Sequence, residues 1–178
     1  MKFTETFYGY VGETQTIKVG KFEVTATIHH DGDHGAPWEE EDGHGEVSEW
    51  TARDKRPGER VLISDRQSKR FYDFAGAVEL AKRDGWDTPP YGTGTKGERA
   101  ARAAEADYRN LKAWADNEWY YVGIVLSVSC KGITLAEHGA SLWGIESSAG
   151  DYLTETANDL LPEALRAAAA AKKALAAA

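Results

Sequence analysis

TKGERAARAAEADYRNLKAWADNEWYYVGIVLSVSC, residues Thr95 to Cys130, passes from one kind of periodicity to another, and that change decides the fold class. Thr95-Lys96-Gly97-Glu98 is a capping box, in which the Thr hydroxyl and the Glu carboxylate each take an orphan amide. The helix it starts is expected to run to about Trp119. Ala104, Tyr108, Leu111 and Ala115 make its inward stripe, widened by Trp114. Arg102, Glu105, Arg109, Lys112 and Asp116 make the solvent stripe, with opposite charges three or four residues apart. From Tyr120 the period falls to two. Tyr120, Val122, Ile124, Leu126, Val128 and Cys130 point one way, and Tyr121, Gly123, Val125, Ser127 and Ser129 the other.

Upstream, Lys21 to His29 alternates in the same manner, and residues 3–19 read as a preceding ribbon or hairpin, with Gly12-Glu13 as its turn. Arg60 to Ser64 is a short apolar strand and Asp65 to Lys69 a charged turn. Asp73 caps a helix with Phe74, Ala77, Val78 and Ala81 on its apolar face, stopped by Gly85, and Trp86 folds back onto it. Asp87 to Gly94 has the composition of a linker. Downstream, Lys131-Gly132 turns the chain, Ile133 to Leu135 pairs back, and Ala140 to Glu146 forms a further strand. Ser147 or Ser148 then caps a last helix, which Pro162 ends or restarts. Strands and helices do not alternate regularly. The expectation is therefore α+β: an antiparallel sheet of about four to six strands with two or three helices on one face. Length points to a single domain over residues 1–161, with residues 162–178 an alanine-rich helical tail that has little to pack with.

The chain has 178 residues, 29 acidic and 21 basic, for a formal charge of −8. That balance disfavours nucleic acid as a direct ligand, because phosphates select basic faces, and suits an acidic body that meets a basic groove on another protein. Cys130 is the one cysteine, which excludes an intrachain disulfide and a thiolate metal cluster; on the apolar face of a strand it reads as an inert buried thiol. The first residues lack the apolar core of a signal peptide, and no run approaches the roughly 18 apolar residues of a membrane span. A cytoplasmic protein without a cofactor is expected.

Candidate function concentrates in Ala36 to Glu59, a long stretch without period that holds Trp38 and Trp50. Two indoles argue that it is ordered and buried against the sheet or the 96–119 helix. Glu39, Glu40, Glu41, Asp42, Glu46 and Glu49 place six carboxylates within eleven residues, a docking surface for a basic partner if the tryptophans hold them in place. His29, His30, Asp31, Asp33, His34, Asp42 and His44 have the ligand chemistry of a metal site, though their spacing fits no motif and a solvated polar loop is the plainer reading. Arg53, Lys55, Arg56, Arg60, Arg66, Lys69 and Arg70 form the one basic stretch. It either neutralises the acidic run or, beside Phe71 and Tyr72, offers a stacking surface for a nucleic-acid strand. Ser48 with His44 lacks the strand-turn-helix elbow of a nucleophile.

W-E-E-E-D-G-H-G-E-V-S-E-W-T-A-R-D-K-R-P-G-E from Trp38, then K-R-F-Y-D-F-A from Lys69 and S-L-W-G-I-E-S from Ser141, resembles a family of short proteins of tailed bacteriophages and prophages of proteobacteria. The resemblance covers about residues 20 to 160 and carries no catalytic role. It implies origin: a small protein made in the host cytoplasm during infection. It further implies a non-enzymatic inhibitor of a host protein, of the anti-CRISPR or anti-restriction kind, whose acidic surface imitates nucleic acid. The alternatives are a metal-binding domain or metal-dependent enzyme built on the His/Asp loop, and a nucleic-acid accessory protein built on the basic stretch.

Overall fold

The computed structural model describes residues 1–86 and 93–177. In chain order the elements are β1 (Thr14–Val19), β2 (Phe22–His30), α1 (Pro37–Glu40), β3 (Glu59–Ser64), β4 (Lys69–Asp73), α2 (Phe74–Asp84), α3 (Lys96–Ala115), β5 (Tyr121–Cys130), β6 (Ile133–Glu146) and α4 (Asp151–Ala177). The α+β expectation is met. The strands form two antiparallel sheets rather than one, of order β1-β2-β5-β6 and β3-β4. Length suggests one domain over residues 1–161; the chain divides into two compact units, Met1–His34 with Trp119–Ala178, and Gly35–Glu118. Most of the linker read at Asp87 to Gly94 lies outside the described residues.

In the first unit the period-two pattern buries one face of the sheet. Val24, Ala26 and Ile28 of β2 join Val122, Ile124, Leu126 and Val128 of β5 in one core. α4 covers them with Leu153, Ala157, Leu161, Ala164 and Ala168, spaced three or four apart along one helix face. The supposed tail is therefore part of the core. Pro162 lies inside α4 without ending it, and Ala164 and Ala168 are fully buried. Their small side chains let the helix approach closely: a Cβ at Gly139 would stand 3.2 Å from the Ala164 Cα. Ile133–Leu135 and Ala140–Glu146 belong to one strand, β6, whose register against β5 shifts at bulges. The segment before β1 is an irregular ribbon held by side chains of α4. Asn158 Oδ1 accepts the Phe3 amide at 2.8 Å, and Asn158 Nδ2 donates to the Phe3 carbonyl at 3.0 Å.

In the second unit β3 and β4 form a hairpin against α2 and α3. Leu62, Tyr72, Ala77, Ala104 and Leu111 make the core, and Ala81, Ala100 and Ala103 a second cluster that Trp86 covers. Both helices start as the sequence indicates, with Asp73 accepting from the Gly76 amide and a complete capping box at Thr95 and Glu98. α2 stops at Gly85 in the left-handed region. α3 ends at Ala115, earlier than Trp119, because Asn117 turns the chain with a φ of 60°. β4 occupies what reads in sequence as the end of a turn and the approach to a helix cap.

Candidate functional site

The stretch after Ala36 is ordered, and its residues show how. Pro37 opens the single turn α1, which lays Trp38 edge-on against Trp114 of α3, with ring centroids 5.2 Å apart at 86°. The chain then reverses at Gly43, where φ is 97°. His44 Nδ1 lies 2.6 Å from Asp107 Oδ1, the Gly45 amide donates to Asp107 Oδ2 at 2.8 Å, and the Tyr72 hydroxyl donates to the same oxygen at 2.6 Å. Burial, with the Asp107 carboxylate beside it, pushes the Tyr72 phenol far above its ordinary range, so it stays protonated as a donor. Gly45 passes so close that a Cβ there would stand 2.6 Å from the Tyr72 ring and hydroxyl. His44 Nε2 faces Glu41 at 3.8 Å. A part-buried carboxylate receiving this many contacts fastens the loop to α3.

Beyond the fastening, residues 46–51 run beside β4 as an irregular edge. The Ser48 amide donates to the Phe71 carbonyl at 2.8 Å, the Thr51 amide to the Lys69 carbonyl at 3.0 Å, and the Asp73 amide to the Glu46 carbonyl at 2.9 Å. The Ser48 hydroxyl accepts from the Phe71 amide and donates to the Glu49 carbonyl, each at 2.9 Å, so it serves the backbone and has no partnership with His44.

Arg70 closes the site. Its side chain is 14% exposed, with its guanidinium carbon 5.6 Å from the Trp38 ring and 5.7 Å from the Trp50 ring. Its nitrogens pair with Glu39 at 3.2 Å and Glu49 at 3.6 Å. Of the two tryptophans expected to be buried, Trp38 is half-buried against the core of the second unit, and Trp50 is corrected to 46% exposed. The indole caps a cation and leaves its outer side in water. Glu39, Glu40, Glu41, Asp42, Glu46 and Glu49 are all exposed.

Three residues of the basic stretch, Arg53, Arg60 and Arg70, are engaged in ion pairs within the unit. Arg53 makes a two-pronged pair with Glu59 at 2.6 and 2.7 Å and lies over Phe71 at 4.5 Å. Arg60 pairs with Glu105 at 2.6 Å and stacks on Phe74 at 3.6 Å. Lys55, Arg56 and Arg66 are exposed and Lys69 is half-buried. Phe71 and Tyr72 are 1% and 0% exposed, so neither offers a face on which a base could stack. That removes the aromatic half of the nucleic-acid reading. The hydrogen bond from Arg53, followed by that from the Arg56 amide, holds the Glu59 carboxyl down to about 2.

The His/Asp set is divided between the units. Asp42 and His44 belong to Gly35–Glu118, and the other five to the first unit. There Asp31 Oδ2 accepts from the Gly144 amide at 2.9 Å, and the His34 ring packs tilted against Tyr121, with centroids 3.9 Å apart. His29 lies 6.2 Å from the Trp143 ring and His30 lies 5.7 Å from that of Tyr120, while Asp33 is exposed. Among the described residues, no group of three or more His, Cys, Asp or Glu is placed to hold a metal ion. Nor is any described helix long and apolar enough to cross a membrane. Comparison with protein-family models, curated proteins and solved structures finds no match.

Sequence reasoning missed Asp107 and the supporting role of Tyr72. Asp107 had a signal: positions 100, 103, 104, 107 and 111 share one face of α3, and a carboxylate in an apolar stripe calls for a buried partner.

Proposed function

We propose that the loop from Trp38 to Trp50 is a docking surface for a basic region of another protein, and that the chain acts by binding. The observation that carries this reading is a fixed loop with six exposed carboxylates. Asp107 holds its middle, at His44 and Gly45, and Arg70 joins its two ends, at Glu39 and Glu49. Charge held in place costs less ordering on association than charge on a mobile loop. It steers a basic partner and suppresses acidic ones. Following the resemblance to phage proteins, the partner class to examine first is a host defence component whose nucleic-acid groove is basic. The protein would then act in the host cytoplasm as an inhibitor of the anti-CRISPR or anti-restriction kind.

The test is affinity capture from infected host cells with the wild-type chain and with a Glu40→Lys, Asp42→Lys, Glu46→Lys variant. These three carboxylates are exposed and stand apart from the Arg70 clamp, so reversal leaves the fold intact. We expect a protein captured at low salt, lost progressively as salt rises, and bound by the variant with an association rate lower by about tenfold or more. A partner bound at the wild-type rate by the variant overturns the reading.

A further inference from the structure

The second unit already contains an example of what the acidic loop holds. Arg70 is a guanidinium set between two indoles and two carboxylates, within 5.7 Å of each ring centroid and 3.6 Å of each acid. Planar guanidinium suits such a place because it stacks on aromatic faces and pairs with carboxylate oxygens in the same plane; ammonium does only the second of these well. The inner side of the arrangement is filled by Arg70. The outer side is not enclosed: Trp50 is 46% exposed, and the Glu49 side chain is 94% exposed. An exposed indole on a docking surface has the residue character of a binding hot spot. Here a largely enclosed cation backs it and an acid flanks it.

We infer that the outer face of Trp50 and the Glu49 carboxylate receive an arginine side chain of the partner, in the manner in which their inner side receives Arg70. This rests on the docking reading and names the partner's chemistry more narrowly: a segment whose basic character comes from arginine. Glu40, Asp42 and Glu46 then supply the general field, which does not distinguish one cation from another. Trp50 supplies the discrimination, since stacking rewards the guanidinium.

The test uses two synthetic peptides of equal length and charge, alternating glycine with arginine or glycine with lysine. Each is titrated into the whole chain at low salt by calorimetry, with the Trp50 indole NH followed by NMR. We expect the arginine peptide to bind about fivefold more tightly and to shift that resonance. Trp50→Ala should abolish the preference while leaving salt-sensitive binding of both peptides, and Trp50→Phe should retain part of it. Because the residue is half exposed, unchanged melting temperatures are expected to show both variants folded. Equal affinities for the two peptides, a preference that survives Trp50→Ala, or binding of neither peptide overturns the arginine assignment. Equal affinities that both fall on reversal of Glu40, Asp42 and Glu46 would sink the assignment and leave the docking reading standing.

Discussion

At the scale of single residues, the motif D-G-H-G is a set of instructions for one contact with α3. Gly43 reverses the chain, His44 and the Gly45 amide reach Asp107, and the missing side chain of Gly45 makes room for Tyr72. Asp107→Ala would strand three groups at once, so a loss of about 3 kcal/mol is expected in denaturant melts, with faster amide exchange confined at first to the loop. Gly45→Ala should cost about 1–3 kcal/mol by forcing its methyl against the Tyr72 ring. The residues of this motif are thus packing and hydrogen-bonding anchors. The same holds of the late motif: Trp143 lies where a Cβ on Gly123 would be, Gly144 takes a φ of 72°, and the Ser147 hydroxyl accepts the Tyr120 amide at 3.1 Å. Tryptophans and glycines advertise such contacts in a sequence, but not which partner each one finds.

At the scale of elements, what was legible had a period or a cap. α2, α3, β2 and β5 were readable from stripes, alternation, Asp73, Gly85 and the Thr95–Glu98 box. β4 was not, because five residues reading K-R-F-Y-D show no alternation, and what defines them is pairing with Val61 and Ser48. The exposure of Trp50 was hidden for the same reason, since it depends on where residues 46–51 lie beside that strand. α4 was misjudged because alanine looks like nothing to pack with until a sheet comes near. Truncation after Leu161 should therefore lower the melting temperature of the first unit by several degrees, as burial of Ala164 and Ala168 is lost. An unchanged melting curve would show the alanine run to be dispensable. The Arg53–Glu59 clip that tethers the start of β3 predicts an acid limb. The folded state holds the Glu59 carboxyl near 2, against 4.5 ordinarily. Its contribution is complete above the ordinary value and is lost as pH falls toward the lower one. Glu105, lowered mainly by its hydrogen bond from Arg60, acts in the same direction. Glu59→Gln should flatten stability against pH over that interval and leave the neutral side unchanged in slope.

At the scale of the whole molecule, the second unit is an insertion. β2 and β5 are hydrogen-bonded neighbours, with His30 opposite Val122 and the Asp31 amide donating to the Tyr121 carbonyl, and all of Gly35–Glu118 lies between them in sequence. Replacing Gly35–Glu118 by a short glycine-rich turn should leave the four-stranded sheet able to form, checked by far-ultraviolet circular dichroism and by dispersed amide spectra. A collapsed spectrum would show that the first unit depends on the insertion.

That arrangement has a kinetic consequence. The pairing of β2 with β5 is the central seam of the first sheet, yet it joins strands separated by the whole insertion, and closing so long a segment is entropically slow when the segment is a random coil. Once β3, β4, α2 and α3 have folded, a long floppy tether becomes a short one and the seam can zip. The Trp38–Trp50 loop would then also set the tempo of folding: loosen it at Asp107, and the four-stranded sheet should refold late.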